Sequence, residues 1–380
     1  MRQVTRVVCV VGLVLAGVPE SVGAAEPRTA DAVHGGLFAI ASAIRPGSLN
    51  AMATIAEDDI WAVGSFRRGG ALHWDGEAWT VHRTPGVPEG GELLGISALG
   101  ADDIWAVGYG IVDSRSITVV QHWDGDEWRR VPSPNPSSFN TLYGVAATSP
   151  TDAWAVGTRL DDVGYSKTLI QHWNGRRWRT VPSPDPVPTN NYLFAVTAVS
   201  ANDVWAVGDA APDPPAPQQP LVQHWDGTAW TVVPAPLVGD VANVLWGVTA
   251  VGPDDVWAVG HFSDGGPATR PLIEHWDGAA WSPVEAPSVE SATQLRAVAA
   301  ASSPDDVWAV GFSTDEIGTR HAVTEHWDGQ TWRVVGSDQV GRGDNFLVAV
   351  DVLGDLPWAA GFFQARDAQL RSLVERCCRR

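Results

Sequence analysis

Tryptophan recurs along this chain with a period near fifty residues. One series occupies positions 61, 105, 154, 205, 257, 308 and 358, with gaps of 44, 49, 51, 52, 51 and 50. Two further series, at 74, 123, 173, 225, 276 and 327 and at 79, 128, 178, 230, 281 and 332, keep the same spacing. Together they hold 19 of the 20 tryptophans, and Trp246 stands outside them. A fixed period of this length is one supersecondary unit copied and stacked. Such units bury a core only against their neighbours. The 380 residues therefore read as one array and not as two or three domains.

One copy reads as four short strands. Leu142–Ala147 is an apolar strand a, and Thr148–Asp152 is a turn in which Pro150 presets φ. Ala153–Gly157 is strand b, Thr168–Trp173 strand c after a variable loop, Asn174-Gly175 a tight hairpin and Trp178–Val181 strand d. In strand b, Trp154 and Val156 point one way while Ala155 and Gly157 point the other. A bulky face can then pack on the next copy's small face. Four-stranded antiparallel meanders stacked at this period make a β-propeller. An open β-solenoid is the alternative, but its shorter rungs and parallel strands do not match.

Six copies are complete. The seventh begins at Leu347 and reaches a strand c at Leu373–Cys377, where its strand d is missing. An unclaimed apolar segment at 36–43 stands in the register of a strand d. The expectation is an all-β, seven-bladed propeller over residues 36–378, closed by an N-terminal strand that completes the last blade and removes exposed edges. A truncated gene is the other account of the early stop.

Residues 1–24 have the layout of a cleaved signal peptide: Arg2 and Arg6, an apolar run from Val7 to Val18 too short to span a bilayer, and small residues before a cut after Ala24. An uncleaved anchor is the alternative. Residues 25–35 read as a linker, and the mature protein is expected to be exported. Cys9 would be lost with the signal, and the adjacent Cys377 and Cys378 cannot build a disulfide framework. The net charge of −19, with Lys167 the only lysine, disfavours nucleic acid and anionic lipid. The reading expects no membrane span in the mature chain and a monomer.

The apolar strand ending in Gly, then His-Trp-Asp-Gly-x-x-Trp, resembles the kelch repeat of galactose-oxidase-like propellers. Trp123-Asp124 stands for that family's Tyr-Asp pair and Trp128 for its later Trp. The second Gly of the family's pair is replaced by Ser65, Tyr109, Thr158, Asp209, His261, Phe312 or Phe362. The hairpin is also similar to the Asp box of sialidases, one residue short. The resemblance implies a binding scaffold more often than an enzyme, and it does not specify chemistry.

The repeated polar residues read as architecture. His73, His122, His172, His224, His275 and His326 share one sheet position, but packed sheets lie about 10 Å apart, too far for equivalent side chains to converge on one zinc ion. They are expected to pack between blades with a backbone hydrogen bond. Asp59, Asp103, Asp152, Asp203, Asp255 and Asp306 read as turn caps. The serial tryptophans read as core, and Trp246 as the one indole to seek in the central channel. No nucleophile, zinc or phosphate-loop motif appears, and no cofactor or metal is expected.

Function is then expected on the ring face that carries the b–c loops, which differ in every copy while the other turns repeat. The candidate binding residues there are Arg67, Arg68, Tyr109, Asp113, Arg115, Arg159, Asp161, Asp162, Tyr165, His261, Asp264, Arg270, Arg320, Phe363 and Arg366. The leading reading is a secreted, non-catalytic propeller that binds a protein or polysaccharide partner. A lectin comes second, since the loops repeat no common ligand set. A glycan-active or oxidative enzyme, through arginines or carboxylates converging over the channel, comes third.

Overall fold

The computed structural model describes residues 37–66, 70–266, 268–341 and 343–377. The signal peptide and linker assigned at 1–35, the pair Arg67 and Arg68, and Cys378 lie outside the described residues.

The described chain is a ring of seven antiparallel four-stranded blades. Blade 4 illustrates the unit: strand a is Asn190–Ser200, b is Asp203–Ala211, c is Gln219–Trp225 and d is Trp230–Val232. Strand a lines the ring axis and strand d the rim. Each strand b carries five consecutive buried residues, Ile60–Gly64 in blade 1, because both faces of its sheet are covered.

Seven core clusters fill the seven blade–blade interfaces. Between blades 3 and 4, Trp154 and Val156 meet Leu193, Val204, Ala206 and Trp230. Ala153 and Ala155, on the opposite face of blade 3, meet Trp105 and Val107 of blade 2. The small-against-large packing read from strand b is therefore the joint between blades. In blades 1 to 5 the strand-b indole also lies across rings of the next blade: Trp205 is 5.0 Å from Trp276 and 5.5 Å from Trp281.

The N-terminus closes the ring. Leu37–Ala56 is one strand shared by two blades. Its first half pairs with Leu370–Cys377 of blade 7, from Leu37 opposite Cys377 to Pro46 opposite Arg371. Its second half pairs with Asp59–Phe66 as strand a of blade 1. The expected closing strand at 36–43 thus continues into blade 1 without a connecting loop. Across the same seam, the Thr54 amide and hydroxyl both donate to the partly buried Asp351 carboxylate of blade 7, at 2.7 and 2.9 Å.

The repeated His and Asp residues pair with each other. His122 Nε2 lies 2.8 Å from Asp103 Oδ1, and the other five pairs are alike at 2.6 to 2.9 Å. Each imidazole also packs on the strand-b indole of its own blade, as His275 does on Trp257 at 4.2 Å. This corrects two expectations. The histidine partner is a carboxylate and not a backbone group, and the Asp of the a–b turn braces the b–c hairpin. Turn capping falls to the hairpin residues instead: Asp75 Oδ1 accepts from the Glu77 and Ala78 amides, which hold its carboxyl below the ordinary range.

Candidate functional site at the channel mouth

Strand a of every blade carries a β-bulge at the same position, opposite the glycine of strand b. In blade 4 the register with strand b slips between Leu193 and Ala195, so Phe194 has no partner across the ladder. The same slip leaves out Asn50, Leu94, Tyr143, Trp246, Arg296 and Val348 in the other six. A bulge re-aims the side chain it inserts. Two neighbours make it possible. The residue before it is always a buried leucine, from Leu49 to Leu347. A glycine within strand b, opposite the bulge, gives the room: a Cβ on Gly260 would sit 1.8 Å from the Val244 carbonyl oxygen, and one on Gly208 2.0 Å from that of Tyr192. The residue after it is Gly or Ala, because neighbouring inner strands nearly touch; a Cβ on Gly247 would lie 3.0 Å from Ala297 Cα.

The seven bulge side chains line a cavity of about 190 Å³ on the ring axis. No two are alike. Those of blades 3 to 6 form a continuous run. Tyr143 meets Phe194 edge-on at 5.5 Å, and Phe194 stacks on Trp246 at 4.3 Å. The Arg296 guanidinium covers the other face of Trp246 at 4.2 Å and lies 5.4 Å from Phe312. Phe312, Phe346 and Phe362 carry the run into blade 7 at spacings of 5.0 and 4.7 Å. The run lies toward the start of the strands a, on the side of the b–c loops.

The electrostatics here come from burial. Trp246 Nε1 donates to His261 Nδ1 at 3.1 Å, a bond that requires a neutral imidazole. Desolvation, and then the Arg296 charge, lower His261 to about 4. Arg296 itself is lowered to about 10 by desolvation and by nearby Arg320, so it keeps its charge at neutral pH. On the other side of the mouth burial raises the Glu92 carboxyl, and burial together with Glu92 raises Tyr109.

The candidate loop residues are placed unevenly. His261 touches the central run through Trp246, and Arg320 flanks it, 5.5 Å from Phe346 and paired with Asp344 at 3.1 Å. Tyr109 sits beside Glu92, its partner across the ladder. Arg270 pairs with Asp264 at 2.8 Å, and the exposed Arg115 reaches the Ser137 carbonyl. Asp113 occupies a left-handed turn position with φ 48°. Asp161 folds its own loop by accepting from the Val163 and Tyr165 amides, while Asp162 and Tyr165 are exposed. Arg159 is partly buried and Arg366 exposed. Phe363 is 5% exposed and packs in the core between blades 6 and 7, so it is not a surface residue. Among the described residues, the loop arginines do not gather over the channel, and no three of His, Cys, Asp and Glu form a metal-holding group.

Phe194 and Arg296 were not among the candidates, and Trp246 was singled out only for its odd position. The signal was the variable residue between an unvarying Leu and a Gly or Ala on strand a, opposite each Val-Gly.

The rim of this face is apolar as well. Ile111, Val163, Leu237, Val241 and Ile317 are exposed large hydrophobics on its b–c and d–a connections, Ile317 at 88%. Val163 and Ile317 top equivalent turns, each held by an aspartate two residues earlier and followed by a glycine of positive φ.

No family model matches the sequence, and no curated protein does. Solved structures do. YCF48 bound to D1 peptide aligns over 91% of this chain and 96% of its own, with 14% identity and a TM-score of 0.55. The WD40 β-propeller domain of Doa1 aligns over 89% and 97%, with 11% identity and a TM-score of 0.56. YCF48 from Cyanidioschyzon merolae aligns over 88% and 98%, with 16% identity and a TM-score of 0.52. At these identities the likeness is one of fold, and it agrees with the ring of seven blades: the chain is similar to these proteins as a β-propeller.

Proposed function

We propose that this chain is a secreted, non-catalytic propeller that binds a protein partner through the b–c loop face, with the channel mouth at its centre. The observation that carries the reading is the ring of exposed apolar tips around the aromatic run, on one face of a repeat whose other face is built from acidic hairpin turns. Apolar surface concentrated on one face marks a contact site. The comparisons support a binding role: one structure of similar fold holds a D1 peptide, and another that aligns is described as the mitotic checkpoint complex.

A protein suits this face better than a glycan. Sugars stack on open aromatic faces, and both faces of the Trp246 indole are covered, by Phe194 and by Arg296. Seven different bulge residues also fit one asymmetric ligand better than a repeating polymer. The kelch-like repeat type and export belong to the same proposal. Export predicts that the protein recovered outside the cell begins at Ala25.

Peptide display and a glycan array, both run on the mature chain, test the reading. Selected peptides should compete with one another and lose binding in a double variant Val163→Asp and Ile317→Asp. Glycan binding without peptide binding would overturn it.

A further inference from the structure

We infer that Arg296 is the anchoring point for a carboxylate of the bound partner, supplied by an acidic side chain of a polypeptide. This rests on the protein-binding reading above. Arg296 is the one cation among the seven bulge residues. Its guanidinium carbon lies over the Trp246 ring at 4.2 Å, and Nη2 donates to Gln294 Oε1 at 3.0 Å. Among the described residues no carboxylate comes within ion-pair reach of it. Arg129, Arg270, Arg320, Arg333 and Arg371 each have one. In a chain of net charge −19, that is not for lack of carboxylates.

Keeping a partly buried charge without a counterion is costly, and such groups are retained where a ligand supplies the missing charge. Five N–H donors in a planar fork match a carboxylate in two parallel bonds. One of those N–H groups is taken up by Gln294, and Arg296 lines the channel cavity with the others. Gln294 holds the orientation from behind, and the neutral His261 keeps a second positive charge away. With Arg320 already paired to Asp344, the free charge is single, which suits a carboxylate monoanion better than a phosphate. One charge among rings of differing shape also fits an acidic side chain flanked by apolar ones better than the evenly spaced carboxylates of a uronic-acid polymer.

Side-chain Nε–H spectra of ¹⁵N-labelled protein provide the test, with the Arg296 signal assigned by its loss in Arg296→Gln. Sodium acetate should shift that signal saturably, while sodium chloride of equal ionic strength should not. Arg296→Lys, which keeps the charge but not the fork, should bind acetate roughly tenfold more weakly with an unchanged melting curve. Equal responses to acetate and chloride would overturn the anchor. Peptide selections on the wild type and Arg296→Gln then identify the source. Asp or Glu should be enriched at one position in the first and not in the second. Identical peptides from both would sink the anchor and leave the protein-binding reading standing. An acetate response with no peptides selected would overturn both the polypeptide source and the protein-binding reading, and leave only a carboxylate site. Displacement of acetate by a uronic-acid oligosaccharide and not by acidic peptides would overturn the polypeptide source.

Discussion

At the scale of single residues, the most consequential position is the glycine of strand b that faces the bulge. Seven glycines face seven bulges, and in each case an added methyl group would run into the carbonyl oxygen opposite. Gly260→Ala should therefore force the bulge of blade 5 out of register and move Trp246. We expect a loss of about 3 kcal/mol, read from denaturant melts, because the clash is with backbone that cannot swing aside. His261 offers a second check. Its ordinary value is 6.5 and its folded value about 4, so between those pH values the unfolded chain binds more protons. The group then removes stability as pH falls through that window. The imidazole carbon signal of His261 should titrate near pH 4, and a midpoint near 6.5 would mean that the Trp246 bond does not hold it neutral. The glycines were plain in the sequence as the end of Val-Gly. Their meaning was not, because a period-two reading treats strand a as regular, and only the pairing register reveals the extra residue. The His–Asp pairs were hidden for the same reason, since which residues face each other across a hairpin depends on its loop.

At the scale of the strand, strand c shows a chemical change along the ring. In blades 2, 3 and 4 it buries Gln121, Gln171 and Gln223, each donating to a proline carbonyl of the preceding blade at 2.8 Å. Blades 5, 6 and 7 place Glu274, Glu325 and Glu375 in the same position, fully buried, with neither oxygen bonded. A protonated glutamate is the shape of glutamine and can donate in its place. Burial raises Glu274 and Glu325 to about 8 and Glu375 well above its ordinary 4.5, the last also through Asp338. The folded chain thus binds more protons than the unfolded one above pH 4.5. The stability held below that value is lost as pH rises toward 8. Glu274→Gln and Glu325→Gln should each stabilise the protein by ~2 kcal/mol at pH 8 and leave it unchanged at pH 4, in melts at the two pH values. Destabilisation at pH 8 would mean that these carboxylates are solvated or paired in the fold. The switch from Gln to Glu was visible in the residue before His-Trp in blades 2 to 6, but burial of the position depends on the neighbouring blade, which a strand read alone does not contain.

At the scale of the whole molecule, the tryptophan period carried most of the architecture. It counted the blades, set their strands and located the gap in the last one. The central site was less legible, since it belongs to the ring axis, where residues about fifty apart in sequence become neighbours through closure. The closing strand is open to direct test. Deleting 37–46 removes the partner of Leu370–Cys377 and should turn one cooperative melt into aggregation or a broad transition. A deletion variant that melts like the parent would show that the ring does not need this strand.

That shared strand also sets the order in which the molecule can become itself. The segment at 37–46 waits for a partner that lies at the other end of the chain, and every blade between must be made before the two can meet. Pairing over such a separation is entropically slow and comes late. A chain broken off before Leu370 keeps an open ring with bare strand edges, however well its finished blades are packed. Completion is thereby registered in the structure: a finished copy hides its edges, and an interrupted one displays them to whatever machinery removes unfinished protein.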